Sequence, residues 1–346
     1  MPYKQLLPTT VIGSHALPGW FWTAMSALEG GEYGPTDERE VYDDAVRLAI
    51  WDQKEAGIDT ITDGEMRRWY FVQKFYGRME GLVERPVLRK AGLYGYDSVP
   101  RYGIADRVRV PEGLGIVDEF RFLKMNAGEG QRIKACCPGP LTLSMHIQIR
   151  EGDPYKDRVE LGWEFAEVIN QELKGLEQEG CTEVQLDEPS FGIIPGKLSD
   201  WVALLNRALD GVSARKNLHI CFGNLGSRAR GKRRYDWMFP ALLDMNADCL
   251  SMEFANREMV EHDIYAGFEG KFDFMAGVVD IKSFWVEPAE EIANRIRQIL
   301  QYCPAKRLSV SPDCGFFQLP RWLCRLKLQN LVAGANIVRA ELEGKT

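Results

Sequence analysis

The chain lacks any long hydrophobic run. No window of its 346 residues approaches a membrane span, and Met1-Pro2-Tyr3-Lys4 is not followed by an apolar stretch of the targeting kind. A cytoplasmic protein that does not enter a membrane is therefore expected. Basic charge is in the minority. Lys and Arg total 43 against 50 Asp and Glu, giving a net charge of −7, with a pI near 5.4. A nucleic-acid partner is not expected, because neutralising phosphates requires a basic surface. The one basic run, Arg228 to Arg234, reads as a solvated loop. Cysteine is sparse for a disulfide framework, at eight residues, and no Cys-x-x-Cys pair of a structural zinc module occurs. Reduced thiols are expected, some of them as ligands. No Gly-x-Gly-x-x-Gly follows the first strand-like run, which argues against a dinucleotide site. Internal repeats of short period and low-complexity segments are also missing.

What is present is an alternation of short β-rich runs and longer helical stretches. The β-like runs are Leu7–Ser14, Asp59–Asp63, Arg132–Cys137, Glu183–Asp187, Leu218–Phe222, Asp248–Glu253, Phe274–Val279 and Leu308–Ser311. Helical patterns fall at Glu38–Glu55, Pro154–Glu179, Leu198–Ala214, Arg233–Met245, Glu258–Ala266, Ala289–Tyr302 and Arg321–Ala333. The clearest steps through Val159, Leu161, Phe165, Val168, Ile169 and Leu173. Helices between successive strands imply a parallel sheet. Eight units predict an α/β fold, a (β/α)8 TIM barrel forming a single domain over residues 1–346. Residues 83–124, rich in Gly, Pro, Tyr and Arg, read as an inserted hairpin or lid between the second and third strands, with Tyr94, Tyr96 and Tyr102 on it.

Active sites of such barrels lie at the carboxyl ends of the strands. Here those ends carry Ser14-His15, Asp63-Gly64-Glu65, Asp187-Glu188, His219-Ile220-Cys221, Glu253, Asp280-Ile281-Lys282 and Asp313-Cys314. Polar residues follow strands in any protein, but a generic loop has no reason to favour Cys, His and acids over Ser, Lys and Gly. His219 and Cys221 are two apart on a strand, so both point to one face. Together with Glu253 and Cys314 they offer an imidazole, two thiols and a carboxylate, a set that suits zinc. Ligands scattered along the chain fit a catalytic site better than a structural one. A buried His and Cys in a strand are otherwise ordinary core, and the remaining six cysteines are assigned to core or surface.

At these residues the chain resembles the catalytic half of cobalamin-independent methionine synthase. The likeness runs through Leu7-Pro8-Thr9-Thr10-Val11-Ile12-Gly13-Ser14, Asp63-Gly64-Glu65, Gly139-Pro140-Leu141-Thr142, Gln185-Leu186-Asp187-Glu188-Pro189, His219-Ile220-Cys221 and Pro312-Asp313-Cys314-Gly315. It implies a (β/α)8 barrel with zinc on His219, Cys221, Glu253 and Cys314. It also implies that Ser14, Glu65 and Asp187, with the backbone at Ile12, hold the amino-acid part of homocysteine. Two carboxylates suit an ammonium, and a hydroxyl with an N–H suits a carboxylate. Glu188 is expected instead to cap a helix or join an internal ion pair.

The departures concern the methyl donor. Full-length members carry a second, amino-terminal barrel, for which 346 residues leave no room. Where the family places a pterin-stacking Trp, this chain aligns His146. Where it has a proposed proton-donating His, this chain has Lys282, next but one to Asp280. Lys282 is expected to neutralise or protonate the leaving group, or equally to be a structural partner of Asp280. The substrate sulfur is expected to join zinc, with Glu253 as the displaceable ligand. The donor expectation is methylcobalamin or a corrinoid protein, with methyltetrahydrofolate as the other candidate. A related thiol alkyltransferase acting on coenzyme M, with Arg67 and Arg68 facing a sulfonate, is the alternative.

Overall fold

A computed structural model describes residues 5–68, 71–86, 100–224, 228–229, 231–268 and 270–344. Two compact units emerge. The first comprises Met1–Arg67, Phe122–Lys134 and Ser251–Thr346; the second comprises Arg68–Arg121 and Ala135–Leu250.

In the second unit, Ala135–Pro138, Glu183–Asp187 and Arg215–Ile220 form adjacent parallel strands. Their register sets Cys136 beside Gln185, Gln185 beside Asn217, and Asp187 beside His219. Connection by helix is what parallel pairing requires. Helix Arg158–Gln178 begins where the Asp157 side chain accepts from the Glu160 N–H at 3.0 Å, satisfying one orphan donor of the first turn. Its buried face holds Leu161, Phe165, Ile169, Leu173 and Leu176. Burying each contributes about 1.5–3 kcal/mol. Helix Leu198–Ala208 follows the next strand. The expected insertion contains an antiparallel hairpin, Glu80–Arg85 with Arg101–Arg109. Tyr94 and Tyr96 lie outside the described residues; Tyr102 stands on the hairpin, its ring 4.6 Å from that of Tyr76. The last part of the supposed insertion is helix Ile116–Ala127. The Glu172 carboxylate accepts from the backbone N–H groups of Leu114, Ile116 and Val117 at its start.

In the first unit, Asp273–Val279 and Leu308–Pro312 pair in parallel, as do Thr60–Ile61 and Arg132–Ile133. The strand Cys249–Glu253 runs through the point of division. Helix Pro35–Ala56 starts on a proline and ends on Gly57 at φ +80°, a left-handed residue that glycine adopts without strain. Helices Ala289–Leu300 and Arg321–Leu342 pack together.

Three expected elements differ. Leu7–Ser14 makes only single bridges, Thr9 to Val310 and Thr10 to Thr60. The Thr9 N–H and hydroxyl both donate to Asp59 Oδ2 instead of continuing a ladder. Arg233–Met245 is two 3-10 turns, Asp236–Met238 and Ala241–Asp244, parted by Pro240, which cannot supply a helical N–H. Glu258–Ala266 is likewise not an α-helix, because Glu258, Met259 and Glu261 take φ between +53° and +64°.

Candidate functional site

The second unit builds a cluster at the ends of two paired strands. His219 and Cys221 alternate with Ile220, so both face one way, and both are buried. Their donor atoms lie within 4.8 Å of each other. Asp187, opposite His219, sends Oδ1 to within 2.9 Å of His219 Nδ1. A carboxylate can only accept, so Nδ1 carries the proton and Nε2 presents its lone pair. The same Oδ1 accepts from Gln185 Nε2 at 2.7 Å. Asp187 Oδ2 is buried and has no hydrogen-bond partner among the described residues. Cys136 Sγ also lies within 4.8 Å of an Asp187 oxygen.

Next door, Glu188 is fully spoken for. It accepts from the Leu141 and Thr142 N–H groups, both at 2.9 Å, and from the Thr142 hydroxyl at 2.5 Å. It thereby caps the short helix Pro140–Ser144, the role expected of it. Burial, opposed by these hydrogen bonds, pushes its pKa up to about 8. His146 is buried and lies edge-on to Tyr76, at 6.3 Å between ring centroids. Burial, with help from Arg101, pushes it down to about 4, so its ring is neutral near pH 7.

The first unit supplies two further groupings. In one, the chain turns through Gly64 at φ +70° and Glu65 at φ +52°, with the Asp63 carboxylate accepting from the Glu65 N–H at 3.0 Å. A non-glycine residue at such a φ is strained and is held by its surroundings. The turn lays the Glu65 carboxyl against Gly13, where a Cβ would stand 2.9 Å from its carbon. Gly315 serves Ser14 in the same way, since a Cβ there would lie 2.0 Å from the Ser14 Oγ. The Phe316 N–H donates to the Ser14 carbonyl at 2.7 Å. Ser14, Glu65 and the Cys314-Gly315 turn thus share one region, with Ile12 buried beneath.

In the other, Glu253 is buried, with Oε2 2.8 Å from Lys282 Nζ. Asp280 accepts the backbone N–H of Lys282 at 2.7 Å. The ammonium therefore has an ion pair with a proposed ligand, Glu253, a partner the sequence reading did not consider. Asp313 accepts from the N–H groups of Phe254, Ala255 and Asn256, at 2.9, 2.9 and 2.6 Å. It ties the turn after Glu253 to the one bearing Cys314. Burial and the nearby Glu253 carboxylate push the Asp313 pKa well up.

As donor types, His219 and Cys221 in one unit and Glu253 and Cys314 in the other fit zinc, because thiolates and imidazole disfavour magnesium or calcium. Arg67 pairs with Asp43 and lies over the Phe122 ring at 4.6 Å. Arg68 is committed to Glu119 at 2.8 Å and to the Cys136 carbonyl at 2.6 Å. Neither is poised for a sulfonate. Reasoning from the sequence missed Gln185, Asp313 and the two glycines. Gln185 was findable, since it lies two residues before Asp187 and so on the same face of the strand.

Comparison with known proteins gives a consistent result. Residues 7–337 match the family described as "Cobalamin-independent synthase, Catalytic domain". A methionine synthase of Saccharolobus solfataricus is 32% identical over 347 residues, covering 100% of this chain and 98% of its own. One of Thermococcus kodakarensis is 32% identical over 343 residues, covering 99% and 96%. Among solved structures, a B12-independent methionine synthase from Shewanella sp. W3-18-1, in complex with selenomethionine, is 30% identical. It superposes with a TM-score of 0.82, covering 98% of this chain and 99% of that one. The fold class is accordingly α/β of the (β/α)8-barrel type, as expected.

Proposed function

Because this chain belongs to the cobalamin-independent synthase catalytic-domain family, we propose that it transfers a methyl group to the thiol of homocysteine, giving methionine. One zinc ion would be held by His219, Cys221, Glu253 and Cys314. The observation that carries the reading is the His219–Asp187 pair beside Cys221. It fixes the imidazole tautomer with Nε2 as the ligand atom, the usual support of a metal-bound histidine.

Bound zinc supplies Lewis acidity that converts a thiol, with an ordinary pKa of about 8.5, into the reactive thiolate at neutral pH. The chain's own groups do the rest. Asp187 Oδ2 and the Glu65 carboxylate receive the substrate ammonium. The Ser14 hydroxyl and the Ile12 backbone receive its carboxylate. The selenomethionine complex of the Shewanella relative supports a site shaped for this amino acid. Lys282, ion-paired with Glu253, would draw charge from that carboxylate and make it the weakest of the four ligands, and would hand a proton to the departing donor. Asp280 fixes the backbone of Lys282.

The donor we propose is methylcobalamin, free or carried by a protein, rather than methyltetrahydrofolate. His146 gives a pterin a smaller face than tryptophan would, at a cost of about 1 kcal/mol of stacking beyond lost area. The chain would act as one catalytic domain with residues 83–124 as its insertion, and in the cytoplasm. Among the described residues no helix is long and apolar enough to cross a membrane.

The test is to incubate zinc-loaded protein with homocysteine and each donor and to read methionine by mass. Zinc-dependent methionine, formed faster from methylcobalamin, is the expected result. Faster turnover with methyltetrahydrofolate overturns the donor assignment alone. No methionine from either donor overturns the reaction.

A further inference from the structure

We infer that Gln185 is a positioning residue that makes the Asp187 carboxylate serve two ligands at once, coupling metal occupancy to recognition of the amino-acid head group. The inference rests on the zinc and homocysteine reading above.

Its ground is how the four buried atoms are shared. Gln185 is 0% exposed and Asp187 4%. One oxygen of Asp187 accepts two hydrogen bonds, from Gln185 Nε2 at 2.7 Å and His219 Nδ1 at 2.9 Å. The other oxygen is buried without a hydrogen-bond partner among the described residues. A carboxylate left to itself rotates about χ2 and distributes its donors between both oxygens. Here two donors converge on Oδ1 from neighbouring strands whose register is fixed, with Gln185 opposite Asn217 and Asp187 opposite His219. Rotation is blocked, and Oδ2 is held ready for a cationic donor. A buried, unsatisfied carboxylate oxygen costs free energy, and a substrate ammonium recovers it.

The coupling follows from the tautomer. A metal on His219 Nε2 forces the proton onto Nδ1, which locks Asp187. Without the metal the Asp187 contact alone keeps the proton on Nδ1, and the competing tautomer with the proton on Nε2, in which Nδ1 would face Asp187 as a second acceptor, is penalised less than with the metal in place. Metal binding therefore preorganises the ammonium site. By reciprocity the amino acid raises metal affinity by the same factor. Gln185 decides how far Asp187 keeps its place when the imidazole does not help.

The probe is norleucine, which has the amino-acid head group and no sulfur, so zinc can reach it only through the protein. Calorimetric titration of the wild-type protein, metal-free and zinc-loaded, is expected to show norleucine binding at least about five-fold tighter with zinc, the low end of ordinary coupling. In Gln185→Glu, which keeps the shape and the Oε1 acceptor but has no N–H to donate, both norleucine affinities fall and the ratio changes by at least about three-fold from wild type. Zinc affinity, read by chelator competition, falls by roughly ten-fold, the low end of what supporting residues cost. With homocysteine as substrate, KM rises while kcat changes little. Gln185→Met is the second variant, in case a second carboxylate prevents folding. A wild-type ratio of one, or an unchanged ratio in a folded variant, overturns the coupling while leaving the zinc reading intact. Wild-type protein that takes up no zinc overturns both.

Discussion

The molecule contains two buried histidine–aspartate pairs of nearly equal length, one in each unit, and they differ in what surrounds them. In the first, His15 Nε2 lies 3.0 Å from Asp52 Oδ2. Arg321 donates to both Asp52 oxygens at 2.7 Å, and Arg325 approaches to 3.2 Å. His15 Nδ1 faces the Cys324 sulfur at 3.6 Å. Every atom of that aspartate is engaged, and the pair bolts helices Pro35–Ala56 and Arg321–Leu342 to the segment after Ser14. In the second, His219 uses Nδ1, and Asp187 keeps one oxygen without a hydrogen-bond partner among the described residues. The pairing chemistry is the same. What separates the brace from the proposed site is the atom each pair holds back, and which imidazole nitrogen is spent.

The largest expected effect breaks the second pair at its metal side. Cys221→Ser and His219→Ala should lose bound zinc and lower kcat/KM by well over the roughly 100-fold that supporting residues can cost. His15→Gln should leave zinc stoichiometry unchanged. Metal analysis with assays on the folded fraction checks both, and equal zinc loss from His15→Gln would erase the distinction.

Next come the aspartates. Asp187→Asn should raise the homocysteine KM by roughly 10- to 150-fold, the loss of one charged hydrogen bond at about 1.5–3 kcal/mol. Asp52→Asn should instead cost about 3 kcal/mol of stability by breaking a buried ion cluster, with KM unmoved. Denaturant melts beside steady-state kinetics separate the two. A KM change in Asp52→Asn that matches Asp187→Asn would mean that the brace also carries substrate.

Much of this was legible beforehand, and for physical reasons. Asp273–Val279 is buried nearly throughout and reads as a short apolar run, whereas Glu183–Asp187, equally buried, alternates Val184 and Leu186 with Glu183, Gln185 and Asp187 and reads as a strand by its period of two. That His219 and Cys221 face one way was legible because they stand two apart on a strand. The pairs themselves were not. His15 and Asp52 are distant in sequence, and nothing local to His15 announces Asp52. Helix Gly19–Glu29 was passed over because its sequence, Gly-Trp-Phe-Trp, has weak helical propensity and an N-cap without a side-chain hydrogen bond. The false helices at Arg233–Met245 and Glu258–Ala266 had apolar spacing but contained a proline and left-handed residues, respectively. Only tertiary contacts decide such segments.

The smallest effect concerns pH and belongs to the brace alone. Burial opposes a charge on His15, but the Cys324 sulfur and the Asp52 carboxylate outweigh it and raise the pKa from 6.5 to about 9. A group raised on folding stabilises fully below its unfolded pKa and loses that contribution as pH climbs through the folded one. The contribution is on the order of 3 kcal/mol, present below about pH 6.5 and fading toward pH 9. Asp52 works in the other sense. Burial opposes its charge as well, but His15 and Arg321 hold its pKa below 3.8, so its contribution is present above that pH and lost as the solution becomes more acid. The cluster should therefore stabilise most between about pH 4 and 6.5. His15→Gln should lower stability throughout that window and flatten the decline from pH 6.5 to 9, as measured by urea melts at stepped pH. Asp187→Asn should leave that slope as it is in the wild type. If the alkaline decline survives in His15→Gln, the proton is lost elsewhere, and the first pair is then as open to exchange with its surroundings as the second.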